Sequence, residues 1–318
     1  TPKTSSAASD VYKRQREERK QKLIQAKGNV LMMRFKLVDP NRYFDAIIDS
    51  VRFMWSAIGI KVQAGLMLLA FIVVLLSADR FVQDFTHVYL QTQASGILNV
   101  WIIALCAIAL HECGHGLTCK YYGGDVHEMG FLLLAFQPCL YCNVNDAWLF
   151  ENKVHKIKVA LAGVWVEMLL AAISAFIWLL VDVRNPVGYV AFVLMTIGAG
   201  SSVLVNLNPL LKFDGYYILT DWLEVQNLRQ NALAWLSWNL KTKLLGIEEE
   251  QPFQASPREK RIYLIYGSLV LIYMTLLLSF MGWLGYQFIS SQFGFWAILG
   301  FIYICLLYTS PSPRDSDQ

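Results

Sequence analysis

His111-Glu112-Cys113-Gly114-His115 sets two imidazoles four residues apart, with a carboxylate beside the first. On a helix, positions i and i+4 share one face, so both rings can reach one metal ion. Glu112, one residue on, is placed to take a proton from a metal-activated water instead of ligating. A catalytic zinc takes three protein ligands and keeps a fourth position open. The other histidines are His87, His127 and His155, all in connections between apolar blocks. Among carboxylates, Glu167 lies inside a later apolar block and Asp214 just past another. Spacing alone leaves both open as a third ligand. Asp214 closes the run from Asn206 to Gly215, in which Pro209 breaks a helix and Gly215 permits a turn. A broken helix end can aim a carboxylate at a polar cavity; the plainer alternative is an Asp capping the next helix.

The elements that must position these residues are apolar and long. The chain has 318 residues, 56% apolar and 16% charged, against about half and a quarter in soluble domains. The net charge of +3 and the gathering of basic residues near the N-terminus exclude nucleic acid as a partner. Six Cys without regular spacing do not make a disulfide scaffold. Blocks at 57–77, 97–119, 157–181, 187–211 and 262–289 reach the roughly 20 residues a spanning helix needs. A further block, 293–304, is the start of a sixth. The stretch 129–144 is too short to span and is punctuated by Pro138, Cys139 and Cys142, which reads as a re-entrant or β-hairpin insertion. The expected fold is therefore an all-α polytopic membrane helix bundle of about six spans, with that insertion after the HExxH helix. Several Lys and Arg fall before 57, in 120–156 and in 212–261, against Arg80 alone in 78–96 and Arg184 alone in 182–186. This alternation predicts a cytoplasmic N-terminus. The 222–250 stretch has Trp and Leu at amphipathic spacing, as a helix along the membrane surface or one packed on the bundle would.

The two ends read differently. Residues 5–15 (SSAASDVYKRQ) and 305–315 (CLLYTSPSPRD) resemble in-frame translations of the transposon adapter used in short-read sequencing libraries. The expectation is that 1–15 and 305–318 are adapter sequence and that the chain is a fragment open at both ends. Between them the chain divides into a cytoplasmic N-terminal segment (16–56), a membrane core with HExxH (57–211), a DG-containing segment with cytoplasmic or interfacial helices (212–261) and C-terminal spans (262–304).

HECGH at the end of one span, followed by N-x-x-P-x-x-x-x-D-G at the end of a later one, resembles the site-2 protease family of intramembrane zinc metalloproteases. HECGHGLTCKYYGG, FLLLAFQPCLYCNVNDAW and NPLLKFDGYYILTDWLEVQNLRQ are similar to a bacterial branch labelled "putative peptide zinc metalloprotease", over roughly residues 31–303. The resemblance implies zinc (Zn2+) bound by His111, His115 and Asp214, Glu112 as general base, and Asn206 and Pro209 shaping the segment that carries the third ligand. It also implies a multi-pass protein of the bacterial inner membrane that cleaves a peptide or membrane-protein substrate. Members of the branch are often joined or linked to membrane-fusion (HlyD-like) adaptors of export systems. The family's intervening span usually carries G-x-x-x-N, where this chain reads Gly163-Val-Trp-Val-Glu167. Glu in place of Asn leaves three roles for Glu167: contact with substrate, adjustment of the site's acidity, or competition as a ligand.

Two further readings stand beside the protease. A non-proteolytic zinc-containing subunit of a peptide export or efflux assembly would keep the metal for structure. A zincin with Glu167 as third ligand would do without Asp214. Cys139 and Cys142 form a C-x-x-C but lack the second pair of a structural zinc site, which favours two small residues packed in a hairpin.

Overall fold

The computed structural model describes residues 32–90, 94–134, 137–244, 246–247 and 250–293. The two segments read as adapter lie outside these residues, as does nearly all of the block 293–304. In chain order the main elements are β1 (Met32–Val38), α1 (Asn41–Val51), α2 (Ala57–Leu76), α3 (Ala78–Phe85), α4 (Ala94–Tyr121), β2 (Met129–Leu134), β3 (Gln137–Cys142), α5 (Lys153–Leu180), α6 (Pro186–Ser201), α7 (Asp214–Leu223), α8 (Leu228–Leu244) and α9 (Pro257–Phe293). The class is all-α and polytopic. Helices α2, α4, α5, α6 and α9 are long and apolar enough to cross a membrane, and α6 is continued by a π-helical turn, Ser202–Asn206.

Sequence punctuation sets the helix starts. Ser56 accepts from the Gly59 amide at 3.0 Å to begin α2, and Asn152 accepts from Val154 N at 2.8 Å to begin α5. Asn185 does the same for α6 at 2.9 Å, with Pro186 at the first helical position. The fourth span ends at Asn206, earlier than the apolar run to 211 suggested. Proline cannot continue a helix, so the chain leaves the π turn before Pro209 and resumes at Asp214.

Described residues fall into two compact units, divided between Glu224 and Val225. In the first, α5 is central and packs against α2, α4, α6 and α7. Ala162, Gly163, Ala171, Ala172, Ser174 and Ala175 are buried along it, and small side chains let membrane helices approach closely. Large apolar side chains of α2 such as Leu68, Phe71 and Leu76 face outward, as a lipid-facing surface requires. At the far end of α5, Arg80 caps the helix by donating to the carbonyls of Trp178 (2.7 Å), Leu179 (3.0 Å) and Val181 (3.0 Å). Its guanidinium also lies over the Trp178 ring, so this cation is used in joining α3 to α5.

The insertion after α4 is a β-hairpin. Strands β2 and β3 pair antiparallel, from Met129 opposite Cys142 to Leu134 opposite Gln137. β1 joins on the other side of β2, with Phe35 opposite Phe131, to give the order β1-β2-β3. The 16–56 segment therefore contributes a strand that its basic composition did not announce.

In the second unit, α8 packs along α9. Leu228, Ala232, Trp235 and Leu236 are its buried residues, spaced along one helical face, and Ala232 and Leu236 lie at Gly267 of α9. The 222–250 stretch is thus divided: α7 ends at Leu223, Glu224 and Asn227 take positive φ (58° and 51°), and α8 follows.

Candidate metal centre

The centre is built from the C-terminal part of α4, the N-terminal half of α5, the end of α6 and the start of α7. His111 and His115 point from one face of α4 and are 5% and 7% exposed. Their Nε2 atoms lie 3.0 Å apart. Asp214 Oδ2 closes the triangle at 3.1 Å from His111 Nε2 and 3.3 Å from His115 Nε2. Phe213, not Asp214, occupies the cap position of α7, and no side chain caps that helix. The Asp214 carboxylate turns to the histidines instead. Gly215 lets α7 begin close under the π turn, since a Cβ there would lie 2.4 Å from the Leu207 carbonyl oxygen.

These three residues fit a tetrahedral zinc. Bonds of about 2.0–2.2 Å to tetrahedral ligands space the ligand atoms about 3.3–3.6 Å apart, close to the observed triangle. His115 Nδ1 lies 2.7 Å from the Val159 carbonyl oxygen, which can only accept. That nitrogen therefore carries the proton and His115 Nε2 presents its lone pair to the centre. Asp214 Oδ2 is buried without a hydrogen-bond partner. A buried lone pair and an unpartnered carboxylate oxygen converging on one point are the donor set of a cation, and costly without one.

Glu112, His115 and Asp214 line one cavity of about 350 Å³, together with Cys142, Trp148 and Tyr217. Glu112 Oε2 accepts from the Cys142 backbone amide at 2.7 Å, so β3 orients the carboxylate. Glu167 lies elsewhere. It is 1% exposed, and its Oε2 is 3.3 Å from His111 Nδ1, on the side of the ring away from Asp214. Asn206 donates to that same oxygen at 3.1 Å. Pro209 stands in the bend that separates this turn from Asp214.

Gly163 is the position where the ring of His111 meets α5. A Cβ there would lie 2.3 Å from His111 Nε2 and 2.5 Å from two ring carbons. The ring stands between Glu167 and Asp214 and has little room to shift. Gly163→Ala is expected to lower stability by about 1–3 kcal/mol through overpacking. The same variant should weaken zinc binding about tenfold, as displacement of an outer partner does. Thermal unfolding and chelator competition measure the two effects, and unchanged zinc affinity would show that the ring does not need this space.

The remaining histidines stay apart from the centre. His127 lies 3.5 Å from Asp39, His155 stacks on Tyr122, and His87 is in the turn after α3. Cys139 and Cys142 are three residues apart on one strand, so their side chains leave opposite faces and cannot share an ion. Burial first, and the Glu112 carboxylate second, push the Cys142 thiol pKa up, away from the thiolate a metal ligand needs. Sequence reasoning missed Ser201, Ser202, the Val159 carbonyl and the Cys142 amide. Two of these are backbone groups, and the serines stand in an apolar run with no motif to mark them.

No family model and no solved structure matches the chain. Among curated proteins it is similar to the "Putative peptide zinc metalloprotease protein YydH" of Bacillus subtilis (strain 168). The two are 29% identical over 185 residues, which cover 54% of this chain and 69% of that protein.

Proposed function

We propose that this protein is an intramembrane zinc endopeptidase that hydrolyses peptide bonds of membrane-associated peptides or proteins. The observation that carries the reading is the triangle of His111 Nε2, His115 Nε2 and Asp214 Oδ2, with Glu112 lining one cavity with His115 and Asp214. His111, His115 and Asp214 are the residues that would hold the metal. Zinc bound there supplies a Lewis acid and makes a water acidic enough to attack near neutral pH. Glu112 is the base that takes the proton of the attacking water and returns it to the leaving amine. The Cys142 amide fixes one Glu112 oxygen and leaves the other to receive that proton. Trp148 and Tyr217 give the cavity an aromatic wall for a side chain of the substrate. A substrate helix has to unwind before its carbonyls become accessible, because its backbone is shielded by its own hydrogen bonds. In this reading the protein sits in a bacterial inner membrane with its N-terminus in the cytoplasm, where the positive-inside pattern puts it.

A peptide export assembly, including a membrane-fusion adaptor, is the proposed setting, and the resemblance to the peptide metalloprotease branch supports it. The test uses the whole chain in lipid vesicles with a fluorogenic transmembrane peptide. The expected result is one zinc per chain, cleavage that stops with a chelator, and recovery on adding zinc back. Stoichiometric zinc that does not exchange, with no cleavage of any membrane peptide, would favour the structural subunit instead.

A further inference from the structure

The two histidines are held differently at their outer nitrogens. His115 Nδ1 meets the Val159 carbonyl at 2.7 Å. His111 Nδ1 is buried and has no hydrogen-bond partner, and the acidic oxygen beside it is Glu167 Oε2 at 3.3 Å. That oxygen is itself held in place. Ser202 Oγ (2.5 Å), Asn206 Nδ2 (3.1 Å) and Ser201 Oγ (3.4 Å) all donate to it, from the end of α6 and the π turn that follows. Gly163, one helical turn before Glu167 on α5, clears the space into which the His111 ring fits.

We infer that Glu167 is the positioning residue for His111, the carboxylate at ion-pair distance that takes the Nδ1–H when the ring turns Nε2 onto the metal. The assignment rests on the zinc reading above. A metal-bound imidazole needs its second nitrogen protonated and directed at an acceptor, and that outer acceptor fixes both tautomer and ring orientation. For His115 the acceptor is a main-chain carbonyl; for His111 it is a carboxylate, which adds negative charge next to the ring and strengthens Nε2 as a ligand. The three donors from the end of α6 and the π turn hold Glu167 Oε2 on the outer side of the His111 ring. The π turn thereby ties the end of α6 to the metal site through one side chain, a role suited to the functional positions where such turns collect.

The test is zinc affinity, measured by chelator competition on the full chain in detergent, with the visible spectrum of the cobalt(II) form as a second readout. Glu167→Gln keeps the shape and an acceptor oxygen but removes the charge, and is expected to weaken zinc about tenfold. Glu167→Ala removes the acceptor and is expected to weaken it about a hundredfold. Ser202→Ala leaves Glu167 in place but removes one of its donors, and should shift affinity a few-fold in the same direction. That variant keeps the test decisive where Glu167→Ala does not fold. All variants should still bind one metal at saturation, with cobalt bands shifted but tetrahedral in intensity. Wild-type affinity in both Glu167→Gln and Ser202→Ala overturns the assignment. So does loss of stoichiometric metal or of tetrahedral cobalt intensity in Glu167→Gln, which would make Glu167 a ligand. A wild-type chain that binds no zinc overturns the metal reading, and this assignment with it.

Discussion

Glu112→Gln is expected to retain one zinc per chain and to cut peptide cleavage about a thousandfold, within the range a positioned general base supplies. The substitution is close to isosteric. A glutamine carbonyl can still accept the Cys142 amide that Glu112 Oε2 accepts at 2.7 Å, so the hairpin keeps its anchor. What is lost is the ability to take a proton. The ligand triangle contains no atom of Glu112, so metal content should stay at the wild-type level. Metal analysis and vesicle cleavage on the same preparation measure both halves. Unchanged cleavage would rule out Glu112 as the base; zinc lost along with cleavage would place Glu112 among the ligands.

The second large effect is expected at Asp214. Asp214→Ala removes one corner of the triangle and leaves two imidazoles, too few for a catalytic zinc. Zinc affinity should fall by more than a hundredfold, beyond the range seen when an outer partner is lost. Cleavage should fall with it. Asp214 makes no capping hydrogen bond at the start of α7, so the helix loses little of its own support. Circular dichroism should therefore remain helical while the metal is gone. The outcome also separates the two third-ligand alternatives. A zincin relying on Glu167 would lose zinc on replacement of Glu167 and tolerate the change at Asp214. The geometry argues against that pattern, because Glu167 faces Nδ1 of His111 while Asp214 faces both Nε2 atoms.

How far the sequence carried can be read from single residues. His111 and His115 were legible because helical spacing alone puts i and i+4 on one face. Asp214 was legible only as one of two carboxylates, since its approach depends on how the chain turns after Pro209. The contact between Glu167 and His111 joins two helices, and no spacing within one helix encodes which nitrogen of a ring a carboxylate will meet. The five long helices followed from their apolar length, with boundaries shifted where capping or proline decided them, as at Asn206. β1 escaped because a strand is defined by its partner: Met32–Val38 becomes β structure by pairing with a hairpin nearly a hundred residues later.

The positions of His115 and Asp214 in the chain have one further consequence. The hairpin, α5 and α6 all lie between them. An ion held by both residues acts as a non-covalent cross-link that closes a loop of about a hundred residues, restricting the unfolded chain as a staple would. Metal binding then adds to the stability of the first unit by an amount that grows with the logarithm of the free zinc concentration. In a zinc-starved cell the same chain would open more often and meet proteases sooner, so its abundance as well as its activity would follow the metal supply.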